Sequence, residues 1–331
     1  MRKQSRTLQY LSILNTRTNL TASEERNLRV LKKGYQAERE FDDLTKLVFK
    51  RSDLILDDLT LKYGESIVQI DKLLAVKDVL YLIDIKNYSG QYTFQNGSWF
   101  RNNRVLSHSI FGQIDRARDI LLCILQDKKI QMSVKSVIIF WDPNASISIQ
   151  GPTNHIIKYY TDVTFWLKHL SLLASEVENK TAWKEAVSSF QIPDSFPHYE
   201  FDSERSMTIG ICCPECQNFN WDEHRFFLQC QKCDYAEAKE MAYVRTICDW
   251  GVIFFKDDLQ NRLLFEFFGN NCQKHYLKIM LHKHFTPASS TLRYHYENKG
   301  DKFEYWFADK RGYFIGIQKR VTWGRVGPAN I

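Results

Sequence analysis

Three charged residues near one predicted strand pair are of the types that metal-assisted hydrolysis uses. Residues 69–87 read QIDKLLAVKDVLYLIDIKN, with Asp71 near the start of the first apolar run and Asp84-x-Lys86 at the end of the second. A two-residue turn between the runs sets Asp71 opposite Asp84 and puts Lys86 on the same face. Opposed carboxylates repel each other, and a Mg²⁺ or Mn²⁺ ion bound by both removes the repulsion. A lysine beside that ion can orient a water for hydrolysis.

A surface hairpin with solvated acids and lysine is the alternative interpretation of this segment. The run Val79–Ile83 is continuously apolar, which is typical of a strand buried on both faces. Charges at the end of a buried strand need a role, so the pattern favours the metal site. The register depends on the inferred turn, and a β-bulge would shift it by one residue.

The same residues resemble a known family. Asp71 followed by Asp84-Ile-Lys86 resembles the PD-(D/E)XK nuclease signature. The upstream Gly34-Tyr-Gln-Ala-Glu38, together with DIKNYSG from Asp84, resembles the nuclease-related domain (NERD) family. The resemblance spans residues 31–118. Members more often carry Glu where this chain has Asp84, which keeps the charge on a shorter side chain.

The resemblance implies a metal-dependent nuclease with a restriction-endonuclease-like core, in which helices flank a mixed sheet. In that core Glu38, Asp71 and Asp84 lie near the metal. Lys86 is catalytic, and Gln113 supports the site from the following helix.

Helical spacing bears on the roles of Glu38 and Gln113 independently of the family resemblance. Thr21-x-x-Glu24 is a capping box that starts a long amphipathic helix, and Glu38 falls at the border of its apolar stripe. Glutamates at such borders are commonly just solvated. Gln113 and Arg116 are three residues apart on a predicted helix, so they share a face that can meet substrate phosphates. A solvated helix face is the alternative for this pair.

Four cysteines further along the chain form the second strong pattern. Cys213-x-x-Cys216 is followed after thirteen residues by Cys230-x-x-Cys233. Two knuckles at this spacing predict a zinc ribbon with four thiolate ligands, and four protein ligands make the zinc structural. Disulfides are the alternative, and Cys212 is an adjacent substitute ligand. The remaining cysteines are isolated, and we expect them to be small buried residues: Cys123, Cys248 and Cys272.

Composition limits the classes of protein and partner. The chain has 331 residues, 44% hydrophobic content and 45 basic against 39 acidic residues, for a net charge of +6. The mild basic excess favours a nucleic acid, and we expect DNA. We predict a cytoplasmic location without membrane contact, because no stretch approaches the roughly 18 apolar residues of a membrane helix. A Walker phosphate-binding motif is absent from the sequence, which argues against an ATPase.

The order of the patterns predicts an α/β chain with several domains. We expect an N-terminal extension at 1–22 and the nuclease-like domain at 23–192. A linker rich in proline and polar residues at 193–206 leads to the zinc ribbon at 207–238. A small α+β domain follows at 239–331.

Two helices on either side of Gly269-Asn-Asn271 predict a helix-turn-helix in the last domain, with Asn271 as the cap of the second helix. In that second helix Lys274, Lys278 and His282 recur every four residues and form a basic stripe. Such a helix can lie in the major groove of DNA. An ordinary helical domain with a solvated lysine face is the alternative.

Alternating residues beyond the helices predict a wing, that is, two strands joined by a loop. The strands are expected at 291–296 and 302–307, and Lys299 lies in the loop between them. A wing would place Lys299 against the DNA backbone.

The sequence as a whole predicts a divalent-metal-dependent nuclease acting on DNA, in DNA processing or in defence against foreign DNA. One alternative is a catalytically inactive nucleic-acid-binding module that uses the same fold. Another is a protein-docking module, with the zinc ribbon recruiting the chain into a larger assembly.

Overall fold

The computed structural model of the protein describes residues 2–107, 109–175, 181–193, 202, 205–270, 272–288 and 294–323. The chain forms two compact units, Met1–Arg2 with Arg29–Ser195 and Lys3–Leu28 with Phe196–Ile331. Most of the predicted linker lies outside the described residues, as do Asn271 and the first three positions of the predicted wing.

Two helices begin the chain. Helix α1 (Arg6–Arg17) forms within the predicted N-terminal extension and belongs to the second unit. Helix α2 (Ala22–Val48) starts at the predicted capping box. The Thr21 N–H donates to Glu24 Oε2 at 2.7 Å, and the Glu24 N–H donates to Thr21 Oγ1 at 3.3 Å. The boundary between the units falls within α2, after Leu28.

Strands and helices make up the rest of the first unit. They are β1 (Ile55–Tyr63), β2 (Ser66–Val76), β3 (Val79–Lys86), β4 (Gly90–Gln95), β5 (Ser98–Arg101), β6 (Arg104–Val105), α3 (Ile110–Asp127), β7 (Ser133–Phe140), β8 (Ala145–Ile149), β9 (Ile156–Tyr159), α4 (Tyr160–Ser175) and α5 (Ala182–Ser188). The central sheet has the order β1-β2-β3-β7-β9, and a smaller sheet has the order β6-β5-β4-β8. Strands β1 to β3 are antiparallel, whereas β7 and β9 run parallel to β3. The predicted mixed sheet with flanking helices is therefore confirmed.

The hairpin of β2 and β3 has the register predicted from its turn. Val76 lies opposite Val79 and Lys72 opposite Ile83, while Lys77 in the turn has a φ of 56°. The middle of β3 is buried on both faces, with Leu82 1% and Ile83 0% exposed. The solvated-hairpin alternative is therefore wrong, and charges at the end of β3 lie next to a dry core.

Short strands and helices build the second unit. They are β10 (Trp221–Glu223), β11 (Phe227–Cys230), β12 (Ala236–Ala238), α6 (Lys239–Ile253), β13 (Leu259–Gln260), α7 (Asn261–Phe267), α8 (Lys274–His284), β14 (His295–Tyr296), α9 (Phe303–Trp306) and α10 (Arg311–Trp323). Strands β10 to β12 form an antiparallel sheet. Almost every residue of α6 is buried, so this helix is the core of the unit. None of the helices in the described ranges of either unit is long and apolar enough to span a membrane.

A carboxylate at the start of α6 binds donors from α8 and α10. Glu240 Oε1 lies 2.7 Å from His284 Nε2 and accepts a hydrogen bond of 2.7 Å from the Tyr313 hydroxyl. The Lys283 ammonium donates to both oxygens of Glu240 at 2.8 and 2.9 Å. Three side chains, two from α8 and one from α10, therefore bind one carboxylate on α6.

The prediction that residues 302–307 form the second strand of a wing is wrong. Residues 303–306 form helix α9, and β14 pairs with β13 instead. The aromatic residues of this segment alternate like a strand but meet at helical spacing: the rings of Phe303 and Phe307 lie 5.6 Å apart, and Phe303 also contacts Phe314 at 4.6 Å. Burying these rings together overrides the alternating pattern.

Candidate active site

Asp84 and Lys86 end the buried strand β3, and each is only 8% exposed. The Lys86 ammonium donates to Asp84 Oδ1 at 3.0 Å and to Gln113 Oε1 at 2.9 Å. Gln113 stands in the first turn of α3, which begins where the Ser109 hydroxyl accepts the Gly112 N–H at 3.0 Å. Strand β3 and helix α3 thus bring three of the predicted site residues into direct contact.

The second carboxylate oxygen of Asp84 is buried without a hydrogen-bond partner. This Oδ2 atom lies 3.0 Å from the Lys86 ammonium, outside hydrogen-bond geometry. Burial raises the pKa of Asp84 to about 6, against the opposing charge of Lys86 and with a further rise from Asp71. Burial alone would lower the pKa of Lys86, but the charges of Asp84, Tyr88 and Asp71 and the hydrogen bond to Asp84 together outweigh it, and the pKa is raised. An unpartnered buried carboxylate oxygen is a ready ligand atom for a cation.

Asp71 reaches the same strand end through its side chain. The ladder between β2 and β3 stops at Lys72 and Ile83, one residue short of the predicted opposition of Asp71 and Asp84. The Asp71 Oδ2 atom instead accepts the Ile85 N–H at 2.7 Å. The carboxylate therefore lies against the main chain between Asp84 and Lys86.

Glu38 lies on α2 and is bound to an arginine. Arg2 Nη1 donates to Glu38 Oε2 at 3.1 Å. Burial raises the pKa of Glu38 to about 8, the charge of Asp71 adds to the rise, and Arg2 opposes it. The negative charge of Asp71 therefore acts on Glu38. Five residues, hereafter the acidic site, gather at this end of the sheet: Glu38, Asp71, Asp84, Lys86 and Gln113.

The ligand chemistry of the acidic site fits Mg²⁺ or Mn²⁺. Its three acids offer only carboxylate oxygens, the ligands that these hard cations prefer, and the unpartnered Oδ2 of Asp84 is available to one. The three carboxylates are not gathered as tightly as a bound ion would hold them. Across the described residues, the four cysteines are the group whose ligand atoms already lie that close together.

A buried ion network beside the acidic site was missed in the sequence. The Arg2 guanidinium pairs with Asp42 at 3.0 Å, and Asp42 also accepts the Lys72 ammonium at 2.9 Å. Lys72 pairs with Asp57 as well. The signals were a lysine next to the apolar run that ends β2 and an acid one turn after Glu38. The N-terminal sequence gives no comparable signal for Arg2.

Arg116 follows Gln113 on α3 and does not join the buried contacts described above. Both side chains are exposed. The pair forms a polar edge of the acidic site, three residues apart on one helix face as predicted.

The four sulfur atoms of the cysteine motif lie together, hereafter the four-cysteine cluster (Cys213, Cys216, Cys230 and Cys233). All four are within 4.8 Å of one another, with separations of 3.7 Å between Cys213 and Cys233 and 3.5 Å between Cys216 and Cys230. Tetrahedral zinc with bonds of about 2.3 Å holds its sulfur ligands about 3.8 Å apart. The spacing therefore fits zinc.

The two knuckles of the cluster share one local geometry. The residue after each second cysteine has a left-handed backbone, with φ of 60° at Gln217 and 58° at Asp234. The sulfur of Cys212 instead lies near the Cys213 carbonyl. All eight cysteines are free, so the disulfide alternative has no support. Of the isolated cysteines Cys248 is buried as expected, Cys272 is only partly buried, and Cys123 is exposed because it lies on the outer face of α3.

The predicted basic stripe (Lys274, Lys278 and His282) is exposed along α8. The Lys274 ammonium lies 4.2 Å from the Phe265 ring centroid and that of Lys278 lies 5.9 Å from Tyr294. Aromatic rings thus hold both lysines at the surface of the second unit.

Lys299 is exposed in a loop that is fixed to the end of α6. The Asn298 side-chain amide donates to the carbonyls of Gly251, Phe254 and Asp257 at 2.9 to 3.0 Å. A Cβ atom at Gly251 would lie 2.6 Å from Asn298 Oδ1, so this approach requires glycine. The loop position of Lys299 is therefore defined although the predicted wing is not formed.

Comparison with known proteins identifies a domain family. No match is found among the curated proteins or among the solved structures. A family model, described as the nuclease-related domain, matches residues 33–141. The matched range contains all five residues of the acidic site and the elements that position them, from the C-terminal part of α2 to β7. The chain therefore carries a nuclease-related domain, followed by a cysteine cluster with the geometry of a zinc ribbon.

Proposed function

We propose that this protein is a divalent-metal-dependent nuclease that hydrolyses phosphodiester bonds of DNA. The observation that carries the proposal is the buried Asp84 carboxylate, which has an unpartnered oxygen beside a lysine fixed by Gln113. The match to a nuclease-related domain supports the same class of reaction. A buried acid of this kind calls for a cation, and a neighbouring ammonium suits an anionic substrate.

Asp71 and Asp84 would hold Mg²⁺ or Mn²⁺, and Glu38 would bind the ion or its water. When bound, the ion supplies a Lewis acid for the scissile phosphate and a more acidic water. Asp71 is already anchored by the Ile85 N–H, which leaves little freedom for its carboxylate to turn away.

Lys86 has a positioning and electrostatic role. Its ammonium binds Asp84 and Gln113 at once, so its direction is fixed before substrate arrives. From there it would orient the nucleophilic water and stabilise the negative charge that develops on the phosphate. Gln113 and Arg116 would orient the substrate from the exposed edge of α3.

The second unit would bind the substrate rather than cut it. The four-cysteine cluster would hold a structural zinc, because four thiolates leave no open coordination position. The basic stripe and Lys299 would contact phosphates. The free cysteines suit a reducing compartment, and we place the enzyme in the cytoplasm. Its role there would be in DNA processing or in defence against foreign DNA.

A catalytically inactive binding or docking module is the rival proposal. A scaffold gains nothing from acids buried at a strand end, since a charge there costs stability unless it is paired or used. Asp84 is paired with Lys86, but its buried Oδ2 atom has no hydrogen-bond partner, and that oxygen argues for use.

A cleavage panel tests the proposal. Plasmid DNA, single-stranded and double-stranded oligonucleotides and RNA are incubated with Mg²⁺, Mn²⁺ or EDTA. We expect cleavage of DNA with either ion and none with EDTA. Lys86→Met should abolish cleavage, whereas Lys135→Met, which removes an exposed lysine from the neighbouring strand β7, should retain it.

Three outcomes would count against the proposal in different ways. RNA cleavage alone would change the substrate but keep the reaction. Equal cleavage by Lys86→Met and the unaltered protein would remove the site. Binding of DNA without cleavage under every metal condition would favour the inactive module.

A further inference from the structure

Arg2 lies inside the first unit among acids from three elements. Its side chain is 1% exposed. The guanidinium binds Asp42 through Nε at 3.0 Å and through Nη2 at 3.3 Å, and Glu38 through Nη1 at 3.1 Å. Asp58 on β1 lies 3.7 Å from the same Nη1 atom. The Arg2 carbonyl accepts the Tyr35 hydroxyl at 3.1 Å, so the backbone is held as well.

The same arginine also binds the main chain at Asp71. Strand β2 pairs with β1 at Lys72 and at Ile70 but has no ladder pair at Asp71. Its ladder with β3 also stops before Asp71. The Arg2 Nη2 atom donates to the Asp71 carbonyl at 2.8 Å. Arg2 thus donates a hydrogen bond to this partly buried carbonyl at a position where β2 has no ladder pair.

The break in the ladder coincides with a backbone outlier. Asp58, which stands between the β1 residues paired with Lys72 and Ile70, has a φ of 53°. A left-handed conformation is unfavourable for a residue other than glycine. Such conformations persist where the surroundings hold them, and they cluster at functional sites. Arg2 is part of those surroundings.

We propose that Arg2 is a positioning residue of the acidic site, which keeps Glu38 and the Asp71 backbone at one end of the sheet, from where a divalent ion can draw the carboxylates together. The inference rests on the proposed function. One guanidinium joins α2, which carries Glu38, to β2, which carries Asp71. It also balances acids that would otherwise repel each other across this gap. Partners that orient metal ligands without binding the metal commonly change metal affinity by about 10- to 100-fold when removed.

Lys72 distinguishes positioning from general stability. It is a second buried cation, 1% exposed, and it pairs with the same Asp42. Its other contacts are Asp57 and the ring of Phe41, and its ammonium does not bind Glu38 or the Asp71 carbonyl in the contacts described here. Removing Lys72 therefore disturbs the same buried network without releasing the two acids that Arg2 joins.

The test measures Mn²⁺ binding by electron paramagnetic resonance on the full chain, without substrate. The variants are Arg2→Met, Arg2→Lys, Lys72→Met and Asp84→Asn. We expect Arg2→Met to weaken Mn²⁺ binding by about tenfold. Arg2→Lys should weaken it as well, because a single ammonium cannot make the forked contacts. Lys72→Met should stay within about threefold of the unaltered protein on the same scale. If Arg2→Met does not fold, Arg2→Lys carries the test.

The outcomes separate the inference from the proposed function. If Asp84→Asn abolishes binding and the Arg2 variants bind like the unaltered protein or like Lys72→Met, Arg2 is only a structural residue and the inference is overturned. If Asp84→Asn binds Mn²⁺ as well as the unaltered protein, the metal site itself is wrong, and the inference fails with it. If the Arg2 variants bind Mn²⁺ more weakly than both the unaltered protein and Lys72→Met, the result supports a positioning role for Arg2.

Discussion

The four-cysteine cluster and the acidic site are built in opposite ways. The sulfur ligands come from residues 213–233, and both knuckles repeat one backbone geometry. The acidic site draws on α2, β2, β3 and α3, between Glu38 and Gln113. A local site depends on its own turns, whereas a dispersed site depends on how distant elements pack and which charges accompany them.

The groups that surround the ligands also differ between the two sites. Backbone N–H groups surround the sulfurs, as at Cys230, where the Lys232 N–H lies 3.4 Å from Sγ. The acids are accompanied by buried cations, namely Arg2, Lys72 and Lys86. Substitutions should therefore separate the two sites. The four-cysteine cluster should lose its metal when a ligand is replaced, whereas the acidic site should also lose metal binding when a neighbouring buried cation is replaced.

Asp84→Ala is expected to have the largest effect, and only on the acidic site. Removing the carboxylate should reduce cleavage by about a thousandfold or more, which corresponds to about 4 kcal/mol of transition-state stabilisation. DNA affinity should stay the same or rise slightly, because one negative charge facing phosphate is lost. Single-turnover cleavage and fluorescence-anisotropy binding measure the two separately. A variant that cleaves as fast as the unaltered protein would exclude this site.

Removing the metal of the four-cysteine cluster should break only the second unit. The purified chain should carry about one zinc, and chelation should make residues 207–235 protease-sensitive while the first unit stays folded. Cys216→Ser should lose the zinc, whereas Cys123→Ser, at an exposed cysteine outside the cluster, should keep it. Elemental analysis and limited proteolysis provide the measurements. A zinc-free chain that resists protease through this segment would contradict the assignment.

The Glu240 cluster sharpens the comparison, because here an acid is held for stability. Burial alone would raise the pKa of Glu240, but hydrogen bonds from His284, Lys283 and Tyr313 lower it to about 2. A depressed carboxyl pKa stabilises the fold above the unfolded value of about 4.3, and this contribution is lost as pH falls toward 2. The shift corresponds to a contribution of at most about 3 kcal/mol to the free energy of unfolding.

Denaturant unfolding of Glu240→Gln and the unaltered protein between pH 6 and 2 tests this contribution. The difference in free energy of unfolding should be largest near pH 6 and shrink as pH falls below about 4. A difference that does not change with pH would mean that the cluster contributes through packing alone.

The smallest expected effect concerns the basic stripe. Lys274→Ala combined with Lys278→Ala should reduce the slope of log affinity against log salt concentration by about two, since each phosphate contact contributes about 0.9. Lys62→Ala combined with Lys135→Ala, at exposed lysines of the first unit, is the matched control and should leave the slope unchanged. An unchanged slope in the stripe variant would mean that this surface meets a protein, or no partner.

Local rules in the sequence predicted part of the molecule well. The capping box at Thr21, the hairpin register of β2 and β3 and the gathering of the four cysteines each depend on residues close in the chain. The nuclease-related domain was identified from short motifs around Glu38 and Asp84, and the family match confirms it.

Long-range packing decided what the sequence could not predict. Arg2 meets Asp42 across forty positions, and no local pattern records that contact. The wing failed for a similar reason: Phe303 and Phe307 find Phe314 and fold into a helix, although their spacing also suits a strand. In the wing, tertiary burial prevailed over a local pattern, whereas at Arg2 there was no local pattern to follow.

Asp42 has a consequence for how substitutions combine during evolution. It is 2% exposed and shared by Arg2 and Lys72. Loss of either cation leaves Asp42 with a partner, but loss of Asp42 removes a shared partner from two buried cations at once, leaving Arg2 with Glu38 and Asp58 and Lys72 with Asp57. We therefore expect replacement of Asp42 to be better tolerated after one cation has become neutral. Lys72→Met should act as a suppressor of Asp42→Asn, which makes the order of mutations, rather than their number, the constraint on this part of the core.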